Sequence, residues 1–349
     1  MKKFLVLCSS LILFLSTFSF SHKAEAATFS DINGSFAKEY IEALGKEGVI
    51  TGFPDGTYRP NITIKRSDFA KMLALALELP LNEASAKSFT DVPNWAKPYV
   101  GALVDAGITS GKKPGYFGAA LPITRQEMII MFVRAMGLED YAQLLYLQSE
   151  FKDEAKISPT AYPYVSFAEH IGFAEGNPNN EFMPSQPGTR AAAAKWIYFF
   201  KIKGDQFFEN ALYVIGANTV DNIEDVQFVN DDAVKVVYTD GTSETIDVVT
   251  FLDDMYMRLQ YDQFNYWTGF DWADLSEGEK TEIIQFIVEC WQADWSDYKL
   301  LAAPEVVVEK VKQRLNNYFI NHNNNQDILL EKAIWVAIDE RLIQAKNHQ

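Results

Sequence analysis

The chain has 349 residues, 48% of them hydrophobic and 14% aromatic, and a formal net charge of −16. This length and apolar content suit a globular protein of two or more domains with a sizeable core. Residues 27–204 hold 19 acidic against 18 basic side chains and residues 205–349 hold 27 against 10, with no basic run of the kind that binds nucleic acid, so the excess acidity is read as keeping the second part soluble.

Lys2 and Lys3 precede an apolar run from Phe4 to Phe20, and Ala24-Glu25-Ala26 offers a small-x-small cleavage site. Residues 1–26 therefore read as a secretory signal peptide, too short for a bilayer anchor, and no membrane span is expected in the mature protein. Removing them leaves Cys290 as a single cysteine, which cannot form an internal disulfide.

From Phe29 to Lys203 the sequence repeats three times. Each copy opens with Phe-x-Asp, at Phe29, Phe89 and Phe151, and carries a Gly-x-x-x-Gly pair, Gly48/Gly52, Gly107/Gly111 and Gly172/Gly176. An arginine follows the second glycine by 14 positions in all three: Arg66, Arg125 and Arg190. A fixed period means one supersecondary unit used several times, none of which buries its apolar face alone. After the aspartate, apolar residues recur at i, i+3, i+4 and i+7 (Ala37, Tyr40, Ile41, Leu44 in copy 1), which predicts a helix. The first glycine of each pair stands where that helix should end in a left-handed cap. Gly56, Gly115 and Asn180 mark a tight loop, and the arginine opens a second helix: Ser67 to Leu79, Gln126 to Met136 and Ala191 to Lys201.

The residues Phe29-Ser30-Asp31-Ile32, Asp55-Gly56-Thr57-Tyr58-Arg59-Pro60, Trp95-Ala96 and Ile123-Thr124-Arg125-Gln126-Glu127 resemble the S-layer homology module. Copy 3 departs from the pattern, with Thr160 where Trp95 and Phe36 stand and no acidic residue after Arg190. The resemblance implies a mainly α fold. Three tandem helix-loop-helix modules, 27–87, 88–149 and 150–204, would form a pseudo-threefold spindle whose first helices make a central three-helix bundle, with grooves between neighbouring copies. It also implies a secreted protein at the cell wall or S-layer surface, binding secondary cell-wall polysaccharide whose terminal sugar bears a pyruvate ketal.

An arginine at a helix start stands beside unsatisfied backbone N–H groups and the positive end of the helix dipole, and its planar fork suits a carboxylate such as the ketal's. Arg66, Arg125 and Arg190 are thus the expected carboxylate ligands. Asp31, Asp91 and Asp153 are placed to accept sugar hydroxyls or orient the arginines, and Gly52, Gly111 and Gly176 to let a ligand approach backbone. Trp95 offers a stacking face, with Lys38, Lys97 and Lys65 adding charge. The alternatives are internal: arginines bridged to the aspartates, aspartates capping helices, glycines serving only the turn, and Thr124 with Glu127 as a capping box.

Beyond Lys203-Gly204-Asp205 the period disappears, and residues 205–349 read as a small acidic α+β domain. Val234, Val236 and Tyr238 alternate up to Asp240-Gly241, and alternation resumes from Thr245 to Val248, predicting a hairpin with a type I′ turn. Helices are expected at 252–266, after the Ser276/Glu279 capping box, after Pro304 and at 328–345. The aromatics Tyr261, Phe264, Tyr266, Trp267, Phe270 and Trp272 suit core packing or a sugar groove. The sequence favours a noncatalytic, wall-anchored surface protein with no cofactor, which could meet S-layer or other surface proteins. The alternative is a wall-anchored hydrolase with its active site in 205–349, although HExxH and GxSxG are both missing there and His322 and His348 are isolated.

Overall fold

The structure, a computed structural model, describes residues 29–145, 147–230, 232–264, 269–294, 298–300, 304–319 and 343–345. The expected signal peptide lies outside these, as do His322, His348 and most of the helix expected at 328–345. The last three residues of that helix are described and are a strand instead, Ile343–Ala345. The chain divides into two compact units, one ending at Val249 and one beginning at Thr250.

In the first unit each copy is a helix pair: α1 (Lys38–Lys46) and α2 (Arg66–Ala76), α3 (Lys97–Asp105) and α4 (Arg125–Ala135), α6 (Tyr162–His170) and α7 (Arg190–Thr219). A short helix α5 (Glu139–Leu144) joins copies 2 and 3; the repeat pattern does not foreshadow it. Each first helix stops where a glycine takes φ near +75°: Gly48 at 74°, Gly107 at 74° and Gly172 at 77°.

The spindle has a central three-helix bundle, but its members are the second helices and not, as expected, the first. Phe132 of α4 meets Phe69 of α2 edge-on at 5.7 Å and Phe200 and Trp196 of α7 at 5.1 and 6.4 Å. The reason lies in the side chains. Along α2 the residues Phe69, Ala70, Met72, Leu73, Ala74 and Ala76 are all buried, a surface apolar on several sides, whereas α1 buries only Ile41, Leu44 and Gly45. The first helices therefore sit outside, each on the second helix of the preceding copy. Lys71 of α2 lies over Tyr99 of α3 (5.7 Å), Arg134 of α4 over Tyr164 of α6 (5.5 Å), and Tyr40 of α1 packs on Tyr198 of α7 (5.1 Å), which closes the ring.

Helix α7 runs through the position where the repeats were expected to end, with a kink at Lys203 (φ −116°, ψ 15°). Its second half folds back onto copy 3: Phe207 meets Phe173 at 5.1 Å, and Asn210 Nδ2 donates to the Ile171 carbonyl at 2.9 Å. A three-stranded antiparallel meander follows, β1 (Ile223–Asn230), β2 (Ala233–Tyr238) and β3 (Ser243–Asp247). Its β2–β3 turn is not type I′. Only Gly241 takes positive φ (83°); Asp240 instead accepts from Thr242 N and Oγ1 at 2.8 and 2.6 Å, giving a three-residue turn ending in a left-handed glycine.

The second unit contains the rest of α8 (Val248–Phe264), α9 (Gly269–Asp274), α10 (Glu277–Asp294) and α11 (Pro304–Phe319), with the short strands β4 (Tyr298–Leu300) and β5 (Ile343–Ala345) paired antiparallel. The Ser276/Glu279 capping box forms at the start of α10 (2.8 and 3.3 Å). Trp272 is fully buried and donates to Asn316 Oδ1 at 2.9 Å, so it belongs to the core; the other aromatics of its expected cluster lie outside the described side chains. No helix among the described residues is long and apolar enough to cross a membrane.

Candidate functional site

The three arginine-bearing helix starts converge on the spindle axis, where backbone groups close a ring. Ile64 N donates to Gly188 O (2.9 Å), Gly188 N to Ile123 O (2.9 Å) and Ile123 N to Ile64 O (3.1 Å). A second ring lies outside it: Arg66 N to Leu121 O (2.8 Å), Arg125 N to Gln186 O (3.0 Å) and Arg190 N to Ile62 O (3.0 Å). The following amides, of Ser67, Gln126 and Ala191, go to Ala119, Pro184 and Pro60 carbonyls at 2.9 to 3.1 Å. The unsatisfied helix-start N–H groups expected to bind an anion are therefore already paired, each with the next copy. Orphan donors that face a neighbouring loop are bonded by it before a ligand arrives.

What remains for chemistry is the side chains, and each arginine crosses into the following copy. The guanidinium of Arg66 lies over the Phe117 ring at 5.0 Å, Arg125 over Phe182 at 4.9 Å and Arg190 over Tyr58 at 4.4 Å. Arg125 Nε donates to Phe182 O (2.7 Å) and Nη2 to Glu175 O (3.0 Å), while Trp196 covers its other side at 4.8 Å. Arg190 Nε donates to Tyr58 O (2.8 Å), and Phe53 lies 5.0 Å away. Arg66 differs. Its Nε is buried without a partner, Nη1 faces Glu127 at 3.7 Å and Nη2 reaches Thr109 Oγ1 at 3.4 Å. Burial lowers the pKa values of both Arg66 and Arg125, and the charge of Glu127 offsets part of this for Arg66.

The repeat aspartates hold their own loops. Asp31 accepts from Tyr58 N and Arg59 N (both 2.8 Å), Asp91 from Phe117 N, Gly118 N and Ala119 N (2.8, 2.8 and 2.7 Å), and Asp153 from Phe182 N and Met183 N (2.7 and 2.9 Å). They pin a second left-handed residue in each loop, Arg59 (φ 59°), Gly118 (81°) and Met183 (56°), that composition conceals in copies 1 and 3. Burial raises the Asp91 carboxyl, but the backbone N–H bonds outweigh it and hold the pKa below the ordinary value. At Gly52 and Gly111 a Cβ would overlap the Phe29 and Phe89 rings, and at Gly176 it would come within 3.1 Å of Phe151. The side-chain space of these glycines is thus filled from within the copy.

Because the first helix of one copy packs on the second helix of the copy before it, the helix that follows Trp95 lies on α2, which Arg66 opens, and not on α4, which Arg125 opens. The helix that follows Phe36 likewise lies on α7, which Arg190 opens, and the one that follows Thr160 on α4, which Arg125 opens. Trp95 and Phe36 are 49% and 67% exposed. Lys38 and Lys97 are half-buried near the starts of α1 and α3, and Lys65 is exposed beside Arg66. Sequence reasoning did not assign Lys112, which pairs with Glu127, or Arg59, which stacks on Phe53 at 4.1 Å and pairs with Asp55 at 2.8 Å. The cue available was their place one and seven residues after the second glycine of the repeat.

Residues 28–70, 88–129 and 150–194 match the S-layer homology domain. An endoglucanase of Bacillus sp. (strain KSM-635) is 37% identical over 179 residues, 50% of this chain and 19% of that protein. S-layer protein EA1 of Bacillus anthracis is 28% identical over 241 residues, 64% of this chain and 27% of its own length. A cellulosome-anchoring protein of Acetivibrio thermocellus is 47% identical over 64 residues, 18% of this chain and 14% of that protein. The chain thus spans under a third of the length of these relatives, and the similarity to the endoglucanase lies in the repeats. With three matched segments in the register of the observed helix pairs, the chain carries three tandem S-layer homology domains.

Proposed function

We propose that the spindle binds a pyruvylated secondary cell-wall polysaccharide, and so fixes residues 205–349 noncovalently at the surface of the cell. Three S-layer homology domains, and relatives named as S-layer and cellulosome-anchoring proteins, support cell-wall anchoring and a surface location. The observation that carries the finer reading is the placing of one arginine in each cleft, its plane stacked on an aromatic ring and donor nitrogens left over in the Arg125 and Arg190 clefts. A guanidinium held in this way has lost its rotamer freedom beforehand, so a carboxylate meets a preorganised fork. Half-exposed Trp95 and exposed Phe36 supply flat apolar faces of the kind a sugar ring covers. Hydrolase names among the relatives attach to a match over the repeats and carry no activity to the acidic part.

The test is sedimentation of the full chain with purified walls, before and after mild acid removes pyruvate. Binding lost with the ketal supports the reading. Equal binding to both preparations overturns the ketal as the ligand while leaving wall attachment in place.

A further inference from the structure

Resting on that reading, we propose that the three clefts are unequal and that the one closing the ring, between copies 3 and 1, is the principal seat of the ligand's carboxylate. Arg190 is fixed by its Nε bond to Tyr58 O (2.8 Å) and by the rings of Tyr58 and Phe53 (4.4 and 5.0 Å), and neither contact uses a terminal nitrogen. Arg190 is 9% exposed; among the described residues neither Nη atom has a protein partner and neither is fully enclosed, so the forked edge is left for two parallel N–H···O bonds. Arg59 brings a second guanidinium to the same Phe53 ring, paired with the exposed carboxylate of Asp55. Phe36, in the turn just before α1, whose Tyr40 packs against α7, is the most exposed large apolar side chain among the described residues.

The cleft between copies 1 and 2 has the opposite arrangement. Arg66 already faces the carboxylate of Glu127 at 3.7 Å, and Glu127 is also paired with Lys112. An incoming carboxylate must share Arg66 with a fixed negative charge, so Glu127 acts as an internal stand-in for the ligand. The equivalent positions are Asp68 in copy 1, which pairs with no arginine among the described residues, and Ala192 in copy 3, which carries no charge. Arg125 is intermediate, with two nitrogens on carbonyls and only Nη1 uncommitted. The best site is therefore built from the two ends of the repeated region and exists only when the ring is closed.

Calorimetry on the full chain with a soluble disaccharide bearing a pyruvate ketal tests this. Arg190→Gln should weaken binding about tenfold or more, the effect of losing hydrogen bonds to a charged group, and should cost more than Arg66→Gln. Glu127→Gln keeps the capping box and should raise the number of bound disaccharides by one. If Arg190→Gln fails to fold, Phe36→Ala, at an exposed position, should still weaken binding severalfold. An equal or reversed order of the two arginine variants, an unchanged stoichiometry in Glu127→Gln, or unaltered affinity in Phe36→Ala overturns the ranking alone. Wild type that holds walls but not the disaccharide removes the ketal reading and this assignment together.

Discussion

Gly188 is the odd member of the axial ring, because copies 1 and 2 carry Ile64 and Ile123 at its place. Its φ lies outside the left-handed region, so a side chain is compatible with the backbone, but a Cβ would run into the Met128 Cε, with Sδ at 3.4 Å. Met128 is fully buried and fills the space a copy-3 side chain would need. Replacing Gly188 by Val adds three heavy atoms there and should destabilise the spindle by about 1–3 kcal/mol through overpacking. Met128→Ala removes three and should cost about 2–5 kcal/mol in transfer and cavity terms. Independent effects would sum to about 3–8 kcal/mol. Since the added atoms enter the vacated volume, the double variant should lose only about 1–3 kcal/mol, a favourable coupling on the order of 2 kcal/mol or more. Urea unfolding of the four proteins, compared at equal m-value, measures it. A double loss within about 0.5 kcal/mol of the sum would refute the claim that Met128 substitutes for the missing axial side chain.

Asp91→Asn should cost about 2–3 kcal/mol, since three backbone N–H groups lose a charged acceptor. Because the folded pKa of Asp91 is depressed, its contribution is complete above the ordinary carboxyl pKa of about 4 and fades as pH falls through the lower folded value. The gap between wild type and variant should therefore narrow in acid unfolding curves below about pH 4, and a gap constant down to pH 2 would contradict the loop-pinning role. Arg125→Lys abandons two carbonyl bonds and the stacking between Phe182 and Trp196, and should lower stability by about 2–3 kcal/mol in thermal melts. An unchanged melting temperature would show that this arginine does not tie copies 2 and 3 together.

The repeat, its helix pairs and the glycine caps were legible because they are local: a stripe of period 3.6 and a glycine at a helix end act within one turn. What each arginine touches was not, since Arg190 and Tyr58 are 132 positions apart and copy membership says nothing about which copy a side chain reaches. The helix-start N–H groups looked free for the same reason. Strand β1 escaped notice because a register shift between Ile223 and Asp225 breaks its alternation. The left-handed Arg59 and Met183 were hidden because neither residue type favours that conformation; it is imposed by Asp31 and Asp153.

Helix α7 is a stave of the central bundle and also the segment through which the chain leaves the repeats. Tension on the downstream chain would enter the spindle along this helix instead of at a peripheral turn. Its start is tied on both sides, by Arg190 N to Ile62 O in copy 1 and by Gly188 N to Ile123 O in copy 2. An open stack of three modules has two interfaces, and its last member can peel off by losing one. The closed ring has three, so drawing out the last module means breaking two at once, with backbone bonds loaded together rather than one after another. Under shear the anchorage is then expected to yield in a single step, at a force set by the pair of seams and not by the weaker of them.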